Sequence, residues 1–187
     1  IPEGYLPLRQ FIAHQYLKQG IDISANDIII TNGSQQALDI LSAVLIDEGD
    51  KILIEKPSYL AALQVFHLYN PKINSVTLNH HGIDLQELTA YLEQKPKFFY
   101  AIPTFQNPTG LTYDNETRIA LANLLKKTNT IFIEDNPYGD LRFNDETFLP
   151  IYPLLKDQTI LLGTFSKTVS PGMRIGWIAC SNSYLKQ

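Results

Sequence analysis

The chain has 187 residues, 44% hydrophobic and 18% charged, with a formal net charge of −4. That length suffices for one sizeable domain with a real core, and the acidic balance argues against a nucleic-acid surface, which is normally basic. One cysteine, Cys180, excludes an internal disulfide and fits a reducing compartment such as the cytoplasm, and no apolar run is long enough to span a membrane.

Strand-like and helix-like segments alternate along the chain. Leu6–Lys18 carries Leu8, Phe11, Ile12 and Leu17 near helical spacing, and Gly20 stops it. A short apolar strand, 28–31, leads into a helix over 34–46, ended by Asp47-Glu48-Gly49-Asp50. A strand at 51–55, a helix over 59–69 closed by Asn70-Pro71, and a strand at 73–78 follow. His80 and His81 lie beside Gly82 in a surface loop, and Asp84 caps a helix over 84–93. The strand at 98–102 runs into Pro103, a helix covers 115–127, and strands follow at 131–134, 159–163 and 175–179. Cys180 reads as a small buried hydrophobe at the end of the last of these. Serine 181 onward looks like the start of another element. With Ile1 in place of an initiating Met, the sequence reads as a piece cut at both ends; no signal peptide is visible.

The strands are continuous apolar runs, not apolar–polar alternations. That pattern marks a sheet covered on both faces, as in parallel βαβ architecture. Ligands in such sheets sit at the C-terminal strand ends, and the unusual residues of this chain follow strands. Thr31-Asn32-Gly33-Ser34-Gln35-Gln36 joins a strand to a helix start, where free N–H groups and the helix dipole favour an anion. Gly33 would allow close approach, with Ser34 and Gln35 as donors; the alternative is a plain N-cap by Ser34. Asn107-Pro108-Thr109-Gly110 is a tight turn in which Asn107 could also donate to a ligand oxygen. Asp135 ends a buried strand and needs a partner. A protonated ring nitrogen fits; so does Arg142 as an ion-pair partner, or a capping role. Tyr138 points the same way or is an amphipathic loop residue, and Tyr59 in Pro57-Ser58-Tyr59 stacks on a flat ring or packs at a helix start.

The most informative run is Gly163-Thr164-Phe165-Ser166-Lys167-Thr168-Val169-Ser170-Pro171-Gly172-Met173-Arg174. It sets one lysine after an apolar strand, among small hydroxyl residues, with an arginine seven positions on. An amine attacks a carbonyl only when neutral, a form that partial burial or a neighbouring cation favours. Thr164 and Arg174 would bracket a phosphate, Arg174 by a charge-assisted fork. The run therefore suits an imine-forming lysine for pyridoxal phosphate, against the alternative of another phosphate ligand on a Rossmann-like domain. His14, His67, His80 and His81 have no metal-ligand spacing with each other or with Cys180, so no metal is expected, and no Ser-His-Asp arrangement is visible.

Read in order, Gly33-Ser34-Gln35-Gln36-Ala37-Leu38, Pro57-Ser58-Tyr59, Pro103-Thr104-Phe105-Gln106-Asn107-Pro108-Thr109-Gly110, Glu134-Asp135-Asn136-Pro137-Tyr138 and Gly163-Thr164-Phe165-Ser166-Lys167 resemble the class I/II aminotransferases of fold type I. They look closest to the 2-aminoadipate aminotransferase-like branch and to the effector domains of MocR-type transcription regulators. The resemblance implies a three-layer α/β/α large domain with a mostly parallel seven-stranded sheet, spanning residues 1–187. The family's N-terminal arm, with its tyrosine for a neighbouring subunit's phosphate, and its small C-terminal domain, with the arginine that clamps a substrate carboxylate, would lie outside this sequence. The resemblance also implies that Lys167 carries the cofactor as an imine and shuttles the substrate proton. Asp135 would pair with the pyridine nitrogen, and Asn107 and Tyr138 would hold the phenolic oxygen. Ser34, Gln35, Thr164 and Arg174 would bind phosphate, and Tyr59 would stack on the ring. Expected partners are an amino acid and a 2-oxo acid, with a homodimer in the full-length protein. DNA becomes a partner only if a winged-helix domain lies upstream.

Overall fold

The computed structural model describes residues 2–141 and 148–181. The proposed Arg142 partner and the tail beyond Ser181 lie outside the described residues. Helix α1, Leu6–Lys18, forms where predicted and ends before Gly20 at φ 77°. Its buried face is Arg9, Ile12 and Tyr16, spaced three and four apart. Phe11 and Leu17, expected inside, are 50% and 60% exposed. The aromatic and cationic stems at 16 and 9 win the core side because their polar ends find partners. The Arg9 guanidinium donates to the Ala25 carbonyl at 2.9 Å, and Tyr16 accepts from Trp177 Nε1 at 3.0 Å.

The remaining elements are β1 (Ile28–Thr31), α2 (Ser34–Leu45), β2 (Lys51–Lys56), α3 (Leu60–His67), β3 (Lys72–Asn79), β4 (Gly82–Ile83), α4 (Leu85–Leu92), β5 (Phe98–Ala101), α5 (Asn115–Leu125), β6 (Ile131–Asp135), β7 (Thr159–Thr164) and β8 (Gly176–Ala179). They form an eight-stranded sheet in the order β1-β8-β7-β6-β5-β2-β3-β4, one strand more than the sequence suggested. The extra strand, β4, is too short to carry a pattern. It pairs Leu78 with Ile83 and Asn79 with Gly82, a reversal that Gly82 permits at φ 137°. Asp84 caps α4 as expected, accepting from the Gln86 and Glu87 amides.

Pairings β3–β2–β5–β6–β7 are all parallel, while β8 runs antiparallel to both β7 and β1. β5, β7 and β8 are buried throughout, which accounts for their unbroken apolar runs. Helices α2 and α3 cover one face over Leu38, Phe66, Tyr100 and Leu162. On the other face, α4 and α5 pack over Leu53, Phe99 and Phe132, and α1 over Leu161 and Trp177. Each fully buried aliphatic or aromatic side chain contributes roughly 1.5–3 kcal/mol, so the sheet is a rigid platform for whatever its edge carries. Among the described residues no helix is long and apolar enough to cross a membrane.

Candidate functional site

The C-terminal ends of β1, β5, β6 and β7 meet at one edge, and the reversed β8 starts there. That reversal lets Arg174, which precedes β8, reach the same place as Lys167, which follows β7. A cavity of about 140 Å3 lies at this edge. The residues expected to hold a ligand line it: Ser34, Gln35, Tyr59, Asn107, Asp135, Tyr138, Thr164, Lys167 and Arg174. Ile102, Pro137 and Ser166 line it as well; the last two lay inside quoted motifs without an assigned role. A wider groove of about 850 Å3 opens at the other end, by Lys97, Lys127 and Ile131. Among the described residues it holds no buried polar atom lacking a partner, so size alone does not mark it as a site.

One end of the cavity is built on α2. Gly33 takes the N-cap position at φ 77°, so Ser34 opens the helix as its first residue and the capping alternative for Ser34 is not realised. Asn32 N–H is satisfied by Gln36 Oε1 at 2.7 Å, and the first-turn amides, which no helix can satisfy itself, face outward. Arg174, in the left-handed region at φ 49°, lays its guanidinium over this turn. A Cβ at Gly33 would stand 2.8 Å from its Nη2, and one at Gly176 would stand 2.7 Å from Ser34 N. Gly33 and Gly176 thus let strand, helix start and arginine close to a distance that side chains would forbid. Thr164 is partly committed to its own loop: Oγ1 lies 3.0 Å from the Ile175 carbonyl and accepts from Ser166 N–H at 3.1 Å. Gln35 Nε2 donates to the Ala61 carbonyl at 3.3 Å, which ties α2 to α3.

The other end is built on β6. Asp135 is 2% exposed. Its Oδ2 accepts from Tyr100 O–H at 2.8 Å, and its Oδ1 has no hydrogen-bond partner among the described residues. Burial raises its carboxyl to about 6, and the Tyr100 hydrogen bond opposes that rise. Burial, then the neighbouring Asp135, lifts the Tyr59 phenol above its usual value, with Arg174 opposing. Lys167 Nζ stands 5.8 Å from the Tyr138 ring centroid. Its turn is pinned by Phe165, whose carbonyl accepts from the Val169 and Ser170 amides and whose ring packs 4.8 Å from Trp177.

The loops carrying Tyr59 and Asn107 are joined beneath the site. Gln106 Nε2 donates to Glu55 Oε2 at 3.1 Å and to the Pro57 carbonyl at 2.9 Å, while its Oε1 accepts from the Thr109 amide and hydroxyl. Glu55 also accepts from Tyr113 O–H at 2.6 Å, and burial raises its carboxyl to about 7. The sequence reading missed Tyr100, Glu55, Gln106 and Tyr113. Polar side chains within apolar runs (Glu55 in Lys51–Lys56, Tyr100 in Phe98–Ala101) were the available signal.

The profile of aminotransferase class I and II matches residues 2–187. The chain belongs to this family. Among curated class I and II relatives, the aromatic-amino-acid aminotransferase 1 of Thermococcus litoralis is 41% identical over 99% of this chain and 46% of its own length. An uncharacterized HTH-type transcriptional regulator of Bacillus subtilis, YisV, is 37% identical over 95% of this chain and 37% of its own. The solved structure of the alpha-aminoadipate aminotransferase LysN from Thermus thermophilus, complexed with N-(5'-phosphopyridoxyl)-L-leucine, superposes with a TM-score of 0.91. It is 36% identical, covering 98% of this chain and 47% of that one. The chain thus spans about half the length of the curated relatives it matches.

Proposed function

We propose that residues 1–187 are the cofactor-binding large domain of a pyridoxal-phosphate-dependent aminotransferase that moves an amino group between an amino acid and a 2-oxo acid. One observation carries this reading. A buried carboxylate with one unpaired oxygen, Asp135, shares a cavity with Lys167 and with the Arg174-covered start of α2. A flat, ring-nitrogen-bearing phosphate ester satisfies all three at once, and the residues present fit it.

Pyridoxal phosphate supplies, when bound, the electron sink that makes a substrate carbon acidic. The chain's own groups do the rest. The first-turn amides of α2, with Ser34, Gln35, Thr164 and Arg174, would grip the phosphate. Asp135 Oδ1 would accept a hydrogen bond from the protonated ring nitrogen and so keep the proton on the ring. Asn107 and Tyr138 would hold the phenolic oxygen, and Tyr59 would stack on the ring. Lys167 Nζ would hold the cofactor at its aldehyde carbon and would serve as the base that carries the substrate proton. Exposed Leu60, Val169 and Met173 lie within two positions of the lining residues Tyr59, Lys167 and Arg174 in sequence. A second copy would cover these exposed apolar side chains in a homodimeric, cytoplasmic full-length protein.

The test is spectroscopic. Wild-type protein titrated with pyridoxal phosphate gains the visible band of a lysine-linked aldehyde, and Lys167→Ala does not. A variant that keeps the band refutes the assignment. A second reading, a ligand-sensing effector domain, is favoured by the match to the regulator YisV. Counting amino groups transferred per full-length polypeptide separates the two. Many turnovers support the enzyme, and at most one equivalent supports the sensor.

A further inference from the structure

We infer that Tyr100 is a positioning residue for Asp135: its hydroxyl holds one carboxylate oxygen so that the other is presented to the cavity as the acceptor for a ring N–H. The inference rests on the proposed cofactor reading and deepens it. Both side chains are buried, Tyr100 fully so. The O–H···Oδ2 distance is 2.8 Å, and Phe66 packs edge-on to the Tyr100 ring at 5.5 Å, which fixes the phenol against rotation. β5 and β6 are in register, Tyr100 opposite Ile133 and Ala101 opposite Glu134, so the two side chains are carried by adjacent strands of the rigid sheet.

The terminal torsion of a carboxylate is soft and roughly two-fold. Without a donor on one side, the plane of the Asp135 carboxylate would swing and its two oxygens would exchange roles. Tyr100 removes that freedom with one charge-assisted hydrogen bond. Burial, with the nearby Asp135 charge, raises the phenol well above its usual value, so Tyr100 acts as a donor and does not give up its proton. The neighbouring buried carboxylate, Glu55, takes its phenol from Tyr113 instead. The two carboxylates therefore do not compete for Tyr100.

The test compares two probes, pyridoxal phosphate and its deaza analogue, in which C–H replaces the ring nitrogen. Affinity for each is measured by fluorescence titration of wild-type protein and of Tyr100→Phe. The wild type favours pyridoxal phosphate. In Tyr100→Phe that preference falls about tenfold, the size of a lost hydrogen bond to a charged group, while affinity for the deaza analogue stays nearly unchanged. A merely structural role weakens both probes alike, and an unchanged ratio overturns the proposal. If Tyr100→Phe does not fold by circular dichroism, 3,5-difluorotyrosine at position 100 keeps the shape and strengthens the donor. The preference then rises, and a preference equal to wild type overturns the proposal. A wild type without preference between the probes overturns the Asp135 pairing itself, and this inference with it.

Discussion

Asp135 carries its charge at neutral pH at a cost to the fold. Its folded value near 6 lies above the ordinary 3.8 because burial disfavours the ionised form. A carboxyl with a raised folded value binds protons more tightly folded than unfolded, so stability falls as pH rises between the two values. For the ligand-free protein this contribution is intact below about pH 4 and is lost as pH climbs through about 6. Asp135→Asn keeps the acceptor for Tyr100 and cannot ionise. The variant is expected to melt with wild type near pH 4 and above it by pH 7.5, by differential scanning calorimetry, while losing affinity for pyridoxal phosphate. A variant that melts below wild type at pH 7.5 contradicts this account. The residue is thus held in a state that suits a partner better than it suits the fold.

At the level of elements, the α2 start, the β6 end and the β7–β8 connection were each visible in the sequence, because glycine, asparagine, aspartate and lysine stood out against apolar runs. The elements that escaped had no such contrast. β4 is two residues long, and the buried face of α1 passes through Arg9 and Tyr16, whose polar tips disguise it. Gln106 stood just before a turn motif, with no role of its own. Its role as a strut between the Pro57 and Thr109 loops depends on Glu55, which is far away in sequence and meets it only because β2 and β5 are neighbours. Close approach of backbone to backbone is equally silent in sequence. A Cβ at Gly176 would meet the Gly33 carbonyl carbon at 2.6 Å, and neither partner is a movable side chain. Gly176→Ala is therefore expected to displace the α2 start, at about 1–3 kcal/mol in a urea melt. It should also weaken phosphate-ester binding, measured by equilibrium dialysis, by more than tenfold. Retained affinity would show that the helix start is not the anion site.

At the scale of the whole molecule, three apolar clusters on two faces hold a sheet whose edge brings together groups from distant parts of the chain. Such a site couples to global stability, since a ligand that binds only the folded form stabilises it by mass action. Pyridoxal phosphate at a hundred times its dissociation constant adds about 2.7 kcal/mol, which for a domain of this size raises the melting temperature by about 5–11 °C. The same addition leaves Lys167→Ala with a smaller rise, since only the non-covalent grip remains. Equal rises would argue that the amine makes no bond to the ligand.

Because β8 turns back alongside β7, the amine at 167 and the guanidinium at 174 ride on one short excursion of chain between two paired strands. Neither can be moved without towing the other. Adding or deleting a single residue there shifts the attacking nitrogen relative to the anion grip, so recruiting this scaffold for ligands of another length calls for changes in the walls around the excursion and not within it.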